Sequence, residues 1–233
     1  MSAASAAAVA EPTRILAIRH GRTAWNADGR IQGHRDIALD ELGRWQAQRL
    51  ADALAGESLQ AIYSSDLRRA RDTAEPLQRR HGLEVIIDPG LRERGFGDFE
   101  GHSFAQIEQR WPDQAERWRR RDEAFEPRGG ESLRDFRRRV VAAVDRLAAR
   151  HRGQNIVLLT HGGALDVLYR HATGLSLQAP RSWSVENAAI NRLVHADETL
   201  VLVGWADAAH LAGDSPLQAL ADLGEAQRTA PSA

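Results

Sequence analysis

The sequence predicts an α/β fold built on a mixed, largely parallel sheet. Two observations lead there. Short apolar runs alternate with longer stretches whose apolar residues recur every three or four positions, the pattern of layered α/β proteins. The last two runs are separated only by Ala196-Asp197-Glu198-Thr199, a turn short enough to make them an antiparallel hairpin.

In chain order, Ile15–Ile18 is the first strand-like run. Leu42, Trp45, Gln46, Arg49, Leu50 and Leu54 then mark an amphipathic helix with Gly56 as its stop. Ala61–Ser64 and Val85–Ile87 are the next two strands, and a helix opens after the first of them with Asp66 as its expected N-cap. Leu133, Phe136, Val140, Val144 and Leu147 form a helical stripe with Ser132 as N-cap and Gly153 beyond its end. Ile156–Leu159 is the fourth strand, Gly162-Gly163 starts a helix, and Ile190–His195 and Leu200–Trp205 make the hairpin.

Residues 102–131 interrupt the alternation with polar helical sequence and read as an insertion covering one end of the sheet. Its Phe104, Ile107, Trp111 and Trp118 either pack it onto the core or line an apolar pocket mouth; packing is the expectation. One domain is expected over residues 13–212, with a disordered tail at 1–12 and a loose tail at 213–233.

Composition removes many chemistries. The chain of 233 residues has no cysteine and no lysine, so all 31 basic residues are arginine. That excludes thiolate nucleophiles, Schiff bases and a Walker-type phosphate loop. No apolar run approaches the roughly 20 residues of a membrane span, and the start lacks the features of a secretory signal. A cytoplasmic protein with no membrane partner is expected. The formal net charge of −1 gives no global attraction to nucleic acid. The Arg119-Arg120-Arg121 and Arg137-Arg138-Arg139 runs alternate with acids and read as solvated surface.

What remains is histidine chemistry. Two apolar strands end in Arg19-His20-Gly21 and in Thr160-His161-Gly162-Gly163, at the carboxyl ends where α/β folds place their sites. The nine histidines are never closer than ten residues apart, so no pair shares a helix face as a metal site would want. There is no Gly-x-Ser-x-Gly elbow. A neutral imidazole can attack phosphorus directly. Such a site needs cations for the phosphate oxygens, for which the arginine fork is suited, and a proton donor for the leaving alcohol. Arg19 lies beside His20, and Arg69, flanked by Arg68 and Arg71, follows the second strand. Glu93, with Asp98 and Glu100 as rivals, follows the third. A helix starting at Gly162 favours an anion.

Arg19-His20-Gly21-x-Thr23-x-Trp25-Asn26, Ser65-Asp66-Leu67-x-Arg69-Ala70-x-x-Thr73-Ala74, Glu93 with Gly97-x-Phe99-Glu100-Gly101, Gly130-Glu131-Ser132 and Thr160-His161-Gly162-Gly163 together resemble the histidine phosphatase superfamily, phosphoglycerate mutase-like, branch 1. Five motifs in order over roughly residues 14–205 make the resemblance specific. It implies a three-layer α/β/α sandwich and a phosphohistidine at His20. Arg19, Arg69 and His161 would hold the phosphoryl group, and Glu93 would be the acid/base. Asn26, Gln32, Gly33 and Gly162 would complete the substrate pocket, and no metal or cofactor is implied. Thr23 and Trp25 either brace the loop or touch substrate.

The superfamily holds phosphatases and mutases. In the dedicated mutases the acid/base Glu opens Glu-Arg-His-Tyr-Gly-x-Leu-x-Gly-Leu-Asn-Lys. Here Gly95, Phe96, Phe99, His102, Ser103 and Phe104 stand at the His, Tyr, Leu, Leu, Asn and Lys positions. The expectation is a metal-independent phosphomonoesterase acting on a small phosphorylated metabolite. The alternatives are a phosphoglycerate mutase and a non-catalytic phospholigand-binding protein. Oligomeric state is open, a homodimer included.

Overall fold

The computed structural model describes residues 11–213 and Ser215, so the two expected tails lie almost wholly outside the described residues. Six strands form one sheet: β1 (Thr13–Arg19), β2 (Ala61–Ser64), β3 (Val85–Ile87), β4 (Asn155–Thr160), β5 (Ile190–Ala196) and β6 (Thr199–Asp207). Their order is β3-β2-β4-β1-β5-β6, with the first four parallel and β5 antiparallel to both its neighbours, β1 and β6. The hairpin turn is the two residues Asp197 and Glu198, both at positive φ (47° and 59°). That is the conformation a right-twisted two-residue hairpin demands.

The helices are α1 (Ala24–Ala27), α2 (Glu41–Ala53), α3 (Arg68–His81), α4 (Phe104–Arg110), α5 (Pro112–Arg119), α6 (Leu133–Ala149) and α7 (Gly162–Thr173). Strand alternation decides what each face buries. Ile15, Ala17, Ile156 and Leu158 point to the face covered by α6 and α7. Leu16, Ile18, Val157 and Leu159 point to the face covered by α2 and α3. The central strands are apolar on both sides, so they read as continuous apolar runs, and the result is a three-layer α/β/α sandwich. Each fully buried Leu, Ile or Val contributes roughly 1.5–3 kcal/mol relative to an exposed one.

The expected helix ends hold at Ser132, whose side chain accepts from the Asp135 N–H. They do not hold at Asp66. The α3 N-cap position is Leu67, with no side-chain cap, and Asp36 Oδ1 accepts the Arg68 N–H at 2.6 Å instead. Asp66 is drawn off by the Arg92 guanidinium, whose Nε lies 2.6 Å from Oδ1. A charge-assisted fork outcompetes a single amide.

The insertion forms α4 and α5 around a small core of its own. Phe99, Ile107, Ala115 and Phe125 are buried there, with Phe96, Trp111 and Trp118 packed against them. Ile107 and Trp111 therefore pack, into this separate cluster and not onto either face of the sheet; Trp118 packs there and also lines a cavity, and Phe104 is exposed.

The loop after β1 is pressed against α2. A Cβ on Gly21 would lie 2.5 Å from the Gly43 carbonyl oxygen, and one on Gly43 would lie 2.0 Å from that of Arg22. Both glycines are therefore close-approach positions. Gly43→Ala should lose roughly 1–3 kcal/mol by overpacking, in spite of alanine's better helix propensity. Gly56→Ala, with open space around it, should stay within about 0.5 kcal/mol. Urea unfolding of the two variants checks this; equal stability would show that the contact yields freely.

Candidate active site

The site follows from strand register. β1 pairs in parallel with β4 so that Arg19 stands opposite Thr160. The next residue on each strand is a histidine, and the His20 N–H donates to the Thr160 carbonyl at 3.0 Å. The two imidazoles come to lie with ring centroids 5.2 Å apart, though 141 positions separate them in sequence (161 − 20). The chain leaves β1 toward the α2 and α3 face and leaves β4 toward the α6 and α7 face. This divergence opens a crevice at the carboxyl ends, the usual ligand address in open α/β sheets.

His20 Nδ1 lies 2.7 Å from the Gly21 carbonyl oxygen. A carbonyl can only accept, so Nδ1 carries the proton and Nε2 holds a lone pair. Burial, then the Arg69 and Arg19 guanidiniums, hold this imidazole well below the ordinary histidine range, against a smaller raising effect of the Gly21 bond. Burial first, then Arg69, His20 and Arg19, do the same to His161. Both rings are neutral near pH 7, and a neutral Nε2 is what nucleophilic attack requires.

Cations surround that nitrogen. Arg69 Nε donates toward His20 Nε2 at 3.3 Å, while its two terminal nitrogens donate to the Arg35 and Gly33 carbonyls at 2.8 Å each. Burial lowers its guanidinium to about 10, with Glu93 and Asp36 opposing, so it stays charged at neutral pH. Arg19 donates to the Val185 carbonyl at 2.7 Å, and its buried Nε has no hydrogen-bond partner. Both ring nitrogens of His161, which is fully buried, also lack a partner. Buried donors without partners, gathered around one nucleophilic nitrogen, mark a place for an anion. Gly162 starts α7 beside Arg19, so that helix presents its N-terminus to the same place.

Glu93 is half-buried at the crevice. Its Oε1 accepts the Arg94 N–H and its Oε2 the Gly163 N–H, each at 2.9 Å. A Cβ at position 163 would fall 2.2 Å from Glu93 Oε1, so only glycine admits the carboxylate there. The rivals are otherwise engaged. Asp98 is exposed, with Arg128 3.8 Å away, and Glu100 Oε1 accepts the His34 and Phe96 N–H groups at 2.9 and 3.1 Å.

Asn26 is half-buried. It forms a capping box with Thr23 at the start of α1, and its Oδ1 faces Asn187 Nδ2 at 3.4 Å. Thr23 therefore braces the loop. Gln32 is buried with Oε1 unpartnered, and Gly33 meets the site through the carbonyl that holds Arg69.

Four supporting residues were missed as such from sequence. Thr73 accepts the Gly21 N–H at 2.9 Å and donates to the Arg69 carbonyl at 2.7 Å, joining the loop after His20 to α3. Asn187 Nδ2 donates to the His20 carbonyl at 2.8 Å. His34 Nε2 donates to the Glu93 carbonyl at 2.8 Å. Arg139 corrects the reading of its run as solvated surface: it donates to the Gly90, Arg92 and Glu93 carbonyls and grips Glu131. Arg121 is likewise drawn inward, to Asp166 at 2.5 Å. Among the described residues no group of acidic and histidine side chains is arranged to hold a metal ion, and no helix is long and apolar enough to cross a membrane.

A family model, the histidine phosphatase superfamily (branch 1), matches residues 15–208, and the chain belongs to this family. Phosphoglycerate mutase-like protein 4 of Arabidopsis thaliana is 38% identical over 202 residues, 84% of this chain and 86% of that one. The metal-independent phosphoserine phosphatase of Arabidopsis thaliana is 35% identical over 211 residues, 89% and 87% of the two chains. The structure of a mycobacterial glucosyl-3-phosphoglycerate phosphatase superposes with a TM-score of 0.75 at 34% identity, covering 85% of this chain and all of that one (100%).

The two depressed imidazoles have a consequence for stability. Below about pH 6.5 the unfolded chain protonates both histidines while the folded chain leaves them neutral. The unfolded state then binds more protons, so stability falls as pH drops through that window; above it the two groups make no difference. Each adds up to about 1.4 kcal/mol per pH unit to the slope. Urea unfolding between pH 7.5 and 5 should show the decline, to which His171 and His210, also lowered by burial, add, and His161→Asn should make it shallower. A wild-type stability flat across this range would refute buried neutral imidazoles.

Proposed function

We propose that the chain is a metal-independent phosphomonoesterase that hydrolyses small phosphorylated metabolites through a phosphohistidine at His20. The observation that carries this is the neutral Nε2 of His20 set among Arg69 and the unpartnered donors of Arg19 and His161. Nε2 attacks phosphorus as the P–O bond to the alcohol breaks. Arg19, Arg69, His161 and the α7 N-terminus at Gly162 receive the charge on the phosphoryl oxygens. Glu93 passes a proton to the leaving oxygen. Water then attacks the phosphohistidine, giving its proton to Glu93 as the P–N bond breaks, and orthophosphate leaves. Asn26, Gln32 and Gly33 complete the rim that positions the ester.

Relatives whose names state phosphoserine or glucosyl-3-phosphoglycerate as substrate support a small phosphorylated metabolite. Retaining the phosphoryl group for transfer between hydroxyls calls for a cationic pocket around a substrate carboxylate. Phe104 stands at the position of the mutase lysine, exposed and ring to ring with Trp118 at 5.4 Å. That favours hydrolysis over mutase activity.

Brief incubation with a ³²P-labelled phosphomonoester, followed by denaturation, should trap an acid-labile, alkali-stable phosphoenzyme. His20→Ala should form none. Glu93→Gln should still bind vanadate but turn over roughly 10²–10⁴-fold more slowly. With 3-phosphoglycerate and its bisphosphate activator the product should be mainly orthophosphate. Full activity in His20→Ala, or isomerisation outpacing phosphate release, would overturn the proposal.

A further inference from the structure

Next to the acid/base lies a cavity that the phosphoryl chemistry does not use. It holds about 100 Å³ and adjoins Glu93, because Gly163, whose N–H fixes Glu93 Oε2, also lines it. Phe96 and Trp118, with ring centroids 5.4 Å apart, line it, as does Phe136. Leu133 and the charged Arg94, Arg121 and Asp122 also line it, together with Asp166, which lies on α7 one turn beyond Gly163 and is only 4% exposed.

Asp166 is half satisfied. Its Oδ2 accepts Arg121 at 2.5 Å and Arg170 Nε at 3.0 Å, whereas the buried Oδ1 has no hydrogen-bond partner. A buried carboxylate oxygen without a donor is costly. The arrangement is also held under strain. Arg121 sits in the left-handed region (φ 54°), pinned by its bonds to Asp166 and the Leu177 carbonyl.

The charge around Asp166 selects the kind of donor. Arg121 and Arg170 both bear on it, and the charge of Arg181 reaches Arg121 as well. An additional cation would be repelled there, which leaves a neutral hydroxyl. We infer that this cavity receives the alcohol part of the substrate and selects phosphomonoesters that carry a free hydroxyl, accepted by Asp166 Oδ1, with the adjoining carbon face against Phe96 and Trp118. The inference rests on His20 and Glu93 as the reacting groups.

Three phosphomonoesters test it: glycerol 1-phosphate, n-propyl phosphate and O-phosphoethanolamine. The wild-type kcat/KM should favour the glycerol ester over the propyl ester by about tenfold or more, the size of one hydrogen bond to a charged acceptor. The ethanolamine ester should do no better than the propyl ester. Asp166→Asn should narrow the ratio to about threefold, since a neutral amide is the weaker partner. Trp118→Ala should lower kcat/KM for both esters and keep their ratio. Vanadate inhibition should stay the same in both variants. Equal wild-type rates for the glycerol and propyl esters, a preferred ethanolamine ester, or a ratio unmoved in Asp166→Asn would overturn the inference. If Asp166→Asn does not fold, the wild-type ratio and Trp118→Ala still decide. Phosphohistidine formed equally from both esters refutes the cavity assignment alone; phosphohistidine formed from none refutes the catalytic assignment and this inference with it.

Discussion

The in-register parallel pairing of β1 with β4 is the constraint on which the site depends. It sets Arg19 opposite Thr160 and so places His20 beside His161 at the carboxyl edge. Thr160 adds a third connection, because its hydroxyl donates to the Leu91 carbonyl at 2.8 Å and anchors the segment that leads to Glu93. Slipping the register by one residue would turn the whole strand over and bury the wrong faces. The apolar residues that bind the sheet to four helices therefore also fix the two histidines. Stability and chemistry are set by the same hydrogen-bonded ladder.

The electrostatic design rests on what holds the arginines. Elsewhere the chain pairs arginine with carboxylates, as in Arg92 with Asp66 or Arg139 with Glu131, and such pairs cancel their charge. In the site, Arg69 is held by the Gly33 and Arg35 carbonyls and Arg19 by that of Val185. A carbonyl fixes a guanidinium in place without neutralising it. The positive charge is kept for the incoming anion, and the same charge, after burial, keeps both imidazoles unprotonated. Preorganised cations of this kind need little rearrangement when charge builds up on the phosphoryl oxygens.

Much of this was legible in the sequence for a physical reason. The strands are apolar on both faces, so they stand out as runs, and their ends carry the reactive residues at once, as in Ile15–His20 and Ile156–His161. Ser132 was readable as a cap because the amide that donates to it, that of Asp135, lies three residues away. What was not legible depends on partners far off in the chain. Asp66 has the composition of a cap but is taken by Arg92, 26 residues on. Arg121 and Arg139 look like surface charge inside arginine runs, and only the fold brings Asp166 and the Glu93 loop to them. Asn187 supports the His20 carbonyl across 167 residues, and no local pattern announces it.

Gly163 links the two halves of the site. Its N–H fixes the Glu93 carboxylate, and its missing side chain gives that carboxylate room. It also lines the cavity that Asp166 and Trp118 line, so the acid step and the alcohol recognition proposed above would meet at one backbone amide. The phosphate side is built from strand ends and from α3, whose positions the sheet fixes. The cavity proposed for the alcohol is lined partly by the insertion, which carries a small core of its own. Substitutions of the insertion residues that line it can therefore reshape that cavity without touching Arg19, His20, Arg69 or His161. The separation is incomplete at one point. Any residue larger than glycine at position 163 would displace Glu93 and crowd Phe136 together, so at that position the proposed selectivity and the proposed proton transfer would change together.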